Sequence, residues 1–168
     1  MIGYGCKYTP VELIQAFGGE ARLLDAEAED FSAAETLTHA NLCCHAKALI
    51  QQAQGEEELV LTDCCDATRR AFDVLDAQKP RRFLFQIDLP HDDSGCARAR
   101  FAKELCRFAK AYGAYRQSGF SLERFLSACR DNSHLLLPNE PFIGILGARV
   151  SPQLLGMIRD VFPLPVVN

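Results

Sequence analysis

Eight cysteines are the residues of this 168-residue chain best suited to chemistry, and five of them fall where an element starts or stops. Cys6 follows a short apolar run, Cys43 and Cys44 precede a helical pattern, and Cys64 and Cys65 close the run Leu59-Val60-Leu61-Thr62-Asp63. A thiol just past the carboxyl end of a parallel strand, at the start of the next helix, tends to be reactive or ligating, because the helix amides and dipole favour the thiolate. Neither an adjacent Cys-Cys pair nor this wide spacing matches the CxxC knuckle of zinc sites or the close CxxCxxC run of ferredoxins. Metal binding would therefore draw ligands from separate loops, and thiolates from separate strands suit an iron–sulfur cluster. Cys96, Cys106 and Cys129 lie on or near helices and read as small buried hydrophobes.

Around the thiols, Asp66 reads as a first-turn helix residue favoured by the dipole. Arg69 and Arg70 follow one turn later, either solvated or placed to stabilise the negative charge of a cluster or phosphate. His45, beside Cys44, reads as an exposed or capping residue rather than a ligand, and His39, His91 and His134 show no partner pattern. No GxGxxG, P-loop, GxSxG or HExxH motif occurs, so nicotinamide binding, P-loop phosphate chemistry, that type of serine hydrolysis and zincin chemistry lose their usual support.

The elements that must hold these residues alternate between strand and helix. Ile2–Cys6 reads as a strand, and Thr9-Pro10-Val11-Glu12 as a capping box opening a helix that Gly18-Gly19 stops. Ala21–Leu24 is a second strand, Asp25–Asp30 an acidic loop, and Ser32-Ala33-Ala34-Glu35 a second capping box. A helix covers Ala46–Gln54, with Ala46, Leu49, Ile50 and Ala53 on one face. The run ending at Thr62 leads into a helix carrying Ala71, Val74 and Leu75, and Phe83–Pro90 is a further strand ended by proline. A long helix spans about Ala97 to Tyr112, and Ser121 starts another toward Leu126. After the linker Pro138–Pro141 come a strand over Phe142–Gly147, a helix opened by Ser151-Pro152 with Leu154, Leu155 and Ile158 inside, and the beginning of one more strand. The pattern is α/β: a Rossmann-like three-layer lobe with a mostly parallel sheet flanked by helices.

Composition narrows the setting. Twenty-two acids against eighteen bases give −4 with no sustained basic run, which argues against nucleic acid and an anionic membrane surface as partners. No segment approaches the roughly 20 apolar residues of a membrane span, and Met1–Cys6 lacks the marks of a signal peptide. The expected compartment is the cytoplasm, where thiols stay reduced and cysteines serve as ligands, catalytic groups or core fillers.

Four stretches carry a family resemblance: Gly3–Ile14, Asn41-Leu42-Cys43, Thr62–Arg70 with its Cys-Asp-x-x-Arg-Arg signature, and Gln86–Pro90. Together with the Phe101–Tyr112 helix, they make the chain resemble the 2-hydroxyacyl-CoA dehydratase family, the 2-hydroxyglutaryl-CoA dehydratase D-component group that includes benzoyl-CoA reductase subunits and double-cubane cluster proteins. The resemblance implies paired Rossmann-like lobes with a [4Fe–4S] cluster, single or double-cubane in type, held by thiolates from both. By position it makes Cys43 and Cys65 the cluster ligands of the N-terminal lobe. Cys6 matches an additional cysteine of the double-cubane branch, Cys64 and Cys44 remain alternatives, and Asp66, Arg69 and Arg70 would stand behind the ligands.

The implied activity is a lyase reaction, reductive dehydration of a 2-hydroxyacyl-CoA. An ATP-driven iron–sulfur activator supplies one electron, and a ketyl radical anion expels the hydroxyl group. The implied partners are that activator, a second dehydratase subunit or lobe, and the acyl-CoA substrate. The resemblance assigns residues 1–137 to an N-terminal cluster-binding lobe and 138–168 to a linker and the start of a second lobe, an incomplete one, so that a full site needs a partner. A non-catalytic electron-transfer or interaction module, a double-cubane-type reductase component and a metal-free remnant are the alternative readings.

Overall fold

The computed structural model describes residues 1–24, 28, 30–132, 138–146 and 150–167. Four strands, β1 (Ile2–Tyr4), β2 (Ala21–Leu23), β3 (Glu58–Thr62) and β4 (Phe83–Ile87), form one sheet in the order β2-β1-β3-β4. Every pairing is parallel, with Gly3 opposite Arg22 and Leu59, and Leu59 opposite Leu84. The α/β expectation therefore holds, and its rhythm comes from helical crossovers, α1 (Val11–Ala16), α2 (Ser32–Leu37), α3 (Cys44–Gln52) and α4 (Asp66–Gln78), with α5 (Gly95–Arg116) following β4. α6 (Leu122–Asn132) then packs on α1.

Alternation along β3 builds the two helical layers. Val60 points into a core with Ile2, Ile14, Phe17, Phe83, Phe85, Ile87, Phe108 and Tyr112, which seats α1 and α5. Leu59 and Leu61 point the other way, against Ala34, Leu49, Ile50, Ala71 and Leu75 of α2, α3 and α4. All five β3 residues are buried, as expected for a strand covered on both faces.

Local signals were partly redirected. Thr9 does not cap α1: Pro10 occupies the cap position without a side-chain bond, and the Thr9 hydroxyl is buried with no partner among the described residues. Ser32 sits inside α2 rather than capping it. The helix's first amides are met by Gln51 Oε1, which accepts from Ala33 N at 3.0 Å and Ala34 N at 3.1 Å, while Asp30 Oδ1 accepts from Ser32. Gly18, at φ 73°, does end the α1 turn as its left-handed tolerance allows. β1 stops at Tyr4 and β4 at Ile87, shorter than expected. α5 runs four residues beyond Tyr112 to Arg116.

Cys96 and Cys106 are exposed and Cys129 is half-buried, so none is the buried filler expected. Their helices present those positions to the side away from the core. Beyond α6, β5 (Ile143–Gly144) and β6 (Val166–Val167) pair in parallel around α7 (Pro152–Val161), as a sheet separate from the first. Ser151 caps α7 through Leu154 N at 3.2 Å, as its Ser-Pro start foretold. Leu154 is exposed and Leu155 and Ile158 only half-buried, so they are not inside a core. Residues 25–27 and 29 of the acidic loop, His134, the expected boundary at 137, Gly147 and Asn168 lie outside the described residues.

Candidate functional site

In a sheet ordered β2-β1-β3-β4, the chain turns outward from β1 to β2 and outward from β3 to β4, so the topological switch point lies between β1 and β3. Crevices at the carboxyl ends of strands at such a point are where open α/β sheets place their ligands. Cys6 follows β1 and Cys64 follows β3, one on each side of that point, and their thiols meet in a hydrogen bond. Cys64 donates to Cys6, which pulls the Cys6 pKa down to about 6; burial opposes this, while the Tyr8 amide and the Lys7 charge assist. The same bond, reinforced by burial, pushes the Cys64 thiol up.

Cys65 stands beside this pair but faces outward, exposed, as the N-cap of α4. Thr68 fixes it from below. Its Oγ1 accepts from Cys65 N at 3.2 Å, donates to Cys65 O at 2.8 Å, and lies 3.6 Å from the sulfurs of both Cys64 and Cys65. This is a capping box with a cysteine in the place usually taken by Ser or Thr. Cys43 is the exposed N-cap of α3, and Cys44 the exposed first residue of the same helix. Because α3 returns to the start of β3, its N-terminus belongs to the same edge of the sheet as Cys6, Cys64 and Cys65. His45, next along, is half-buried within α3.

Behind the cysteine turn is a buried carboxylate. Asp63, 5% exposed, accepts from Leu89 N at 2.8 Å and from Arg69 Nη2 at 2.7 Å, and hydrogen-bonds Asp88. Burial raises the cost of ionising Asp63, but these hydrogen bonds outweigh it and hold its pKa below the ordinary value. Asp88 is raised, by burial and by the facing Asp63 charge. Arg69 is therefore a strut between α4 and the end of β3. Arg70 is exposed and pairs with Asp73 at 3.0 Å, and Asp66 is the exposed first residue of α4. The structure brings Cys6 and Cys64 together and aligns Cys65, Asp66 and Arg69 on one turn. Among the described residues no three His, Cys, Asp or Glu side chains stand close enough to hold a metal ion.

Residues 6–133, about three quarters of the chain, match the model of the family described as 2-hydroxyglutaryl-CoA dehydratase, D-component. The chain belongs to that family. Among curated proteins no relative matches. The matched span of this D-component family member begins at Cys6 and takes in every candidate thiol at the sheet edge. No helix among its described residues is long and apolar enough to cross a membrane.

Sequence reasoning missed Asp63, Thr68 and the turn 88–92. Thr68 was legible as the fourth residue of Cys-x-x-Thr, had cysteine been counted as a cap. Asp63 carried no signal of its own, since its partners come from β4 and from α4.

Proposed function

We propose that this chain is a 2-hydroxyacyl-CoA dehydratase-type component that supplies one side of an iron–sulfur site through Cys43 and Cys65. The observation that carries the reading is that both thiols are exposed N-caps of helices starting at the carboxyl edge of the parallel sheet. An all-sulfur donor set fits an iron–sulfur group, and two such thiols meet only part of its demand, so further donors come from a second subunit or lobe. Cys6 and Cys64 satisfy one another, which makes them weaker candidates as ligands than the two outward thiols. A bound [4Fe–4S] group would supply a low-potential electron, delivered by an ATP-dependent activator, for radical dehydration of an acyl-CoA.

This chain's own residues do the holding. Thr68 fixes the backbone of Cys65, and Asp63 with Arg69 locks the turn that carries Cys64 and Cys65. The eight cysteines, all unpaired, support a reducing compartment such as the cytoplasm. Residues 1–137 form the cluster-side lobe and 138–168 belong to a second unit, a division supported by the separate β5–β6 sheet. Anaerobic incubation of the chain with iron and sulfide, alone and with a co-expressed partner subunit, tests the reading. Sulfur-to-iron charge transfer near about 400 nm is the expected outcome; a chain that takes up no iron in either setting refutes it.

A further inference from the structure

The Cys6–Cys64 pair is placed for a chemistry that ligation does not use. Cys6 follows β1 and Cys64 follows β3, strands that pair directly through Gly3 with Leu59 and Tyr4 with Val60, so the sheet itself holds the two loops side by side. The sulfurs are in hydrogen-bond contact, with Cys64 the donor and Cys6 the acceptor. From such a contact, side-chain rotation brings two sulfurs toward an S–S bond of about 2 Å. The turn that carries Cys64 is held on both sides. Thr68 Oγ1 lies 3.6 Å from Cys64 Sγ, and the preceding Asp63 accepts from Leu89 N at 2.8 Å and from Arg69 at 2.7 Å.

The pair is also reachable. Cys64 lines an open cavity of about 390 Å³ with Tyr8, Leu89, Pro90, His91 and Phe101, a space many times the roughly 30 Å³ that one water occupies. Cys6 is 8% exposed. A small uncharged oxidant such as hydrogen peroxide, little larger than water, fits this access.

We propose that Cys6 and Cys64 are a peroxide-responsive dithiol, oxidised to a disulfide that ties the loop after β1 to the turn after β3. The Cys6 sulfur, the acceptor of the hydrogen bond, attacks one peroxide oxygen and the O–O bond breaks. Cys6 becomes a sulfenic acid, and the other oxygen leaves as water with the thiol proton. Cys64 then attacks the Cys6 sulfur, the S–O bond breaks, and the hydroxyl leaves with the Cys64 proton as a second water. Two thiols and one peroxide give one disulfide and two waters; a dithiol reductant, itself oxidised, returns both thiols. Cys43, Cys44, Cys65, Cys96 and Cys106 are more exposed. The second step nevertheless favours the pair whose resolving sulfur is already in place, because that step is intramolecular and oriented. The product is a reversible brace across the switch point, and no part of it needs a cluster or an acyl-CoA.

Disulfide mapping of the full chain tests the proposal. The reduced protein, in metal-free buffer, receives one equivalent of hydrogen peroxide; remaining thiols are alkylated on denaturation, and linked peptides are identified by mass spectrometry. Cys6–Cys64 will exceed every other linked pair at least about tenfold. The eight free thiols will fall by two, and dithiothreitol will restore them. Cys65→Ser, which keeps a side chain able to cap α4, will form the same bond. Cys64→Ser will instead leave Cys6 as a sulfenic acid that dimedone traps. Eight free thiols after peroxide, a main disulfide at another pair, loss of the bond in Cys65→Ser, or two thiols still lost from Cys64→Ser would each overturn the inference. With no iron in the experiment, each of those results leaves the dehydratase reading to its own test.

Discussion

At the scale of single residues, Asp63 and Asp88 make the sharpest pH-dependent claim. Asp63 is depressed, so its contribution to stability is present above its unfolded pKa and is lost as pH falls through its lowered folded value. Asp88 is raised, so its contribution is present at acid pH and is lost as pH rises through its folded value. Once both are ionised, the two carboxylates face one another as like charges. Asp88→Asn, whose amide can donate to Asp63 permanently, will therefore be more stable than the wild type at about pH 7 and similar at about pH 4. The exposed Asp88–Arg100 pair it removes is worth little. Asp63→Asn will be less stable by roughly 1–3 kcal/mol, since it removes the carboxylate that meets Leu89 N and Arg69. Urea denaturation of both variants across that range checks the signs.

At the scale of elements, helix starts and helix contacts decide where the thiols sit. Thr68→Val removes the capping box of α4 and will cost about 1 kcal/mol, read as a lower urea midpoint with an unchanged slope. Gly113, inside α5, sets propensity against packing. Alanine there would gain up to about 1 kcal/mol of helix propensity. Its Cβ, however, would stand 2.8 Å from Phe17 Cε1, in a ring that packs edge-on against Tyr112. Overpacking of that kind costs roughly 1–3 kcal/mol, so Gly113→Ala will lower the thermal midpoint rather than raise it.

The helices and strands were legible because period and composition agreed: β3 is a run buried on both faces, and α5 repeats Phe101, Leu105 and Phe108 at helical spacing. Caps were less legible. Thr9 and Ser32 had the right spacing, yet Gln51, nineteen positions after Ser32, supplies the cap of α2, and sequence spacing alone cannot reveal such a partner.

At the scale of the molecule, the site was visible in part. The chemistry of the thiols and their placement at element ends could be read from Cys6, Cys43 and Cys65. That Cys6 would spend its thiolate on Cys64 could not, because the pairing depends on β1 and β3 being neighbours despite more than fifty intervening residues. The consequence is a sheet edge with two kinds of thiol, the more buried Cys6 and Cys64 and the exposed Cys43, Cys44 and Cys65.

The measurement that bears most directly on this account is the absorbance of anaerobically reconstituted protein in a cysteine-to-serine series, read with the partner subunit if the isolated chain takes up no iron. Loss of the band near about 400 nm in Cys43→Ser and in Cys65→Ser, with the band retained in Cys106→Ser, is the predicted result. A band of full intensity in both Cys43→Ser and Cys65→Ser would contradict it.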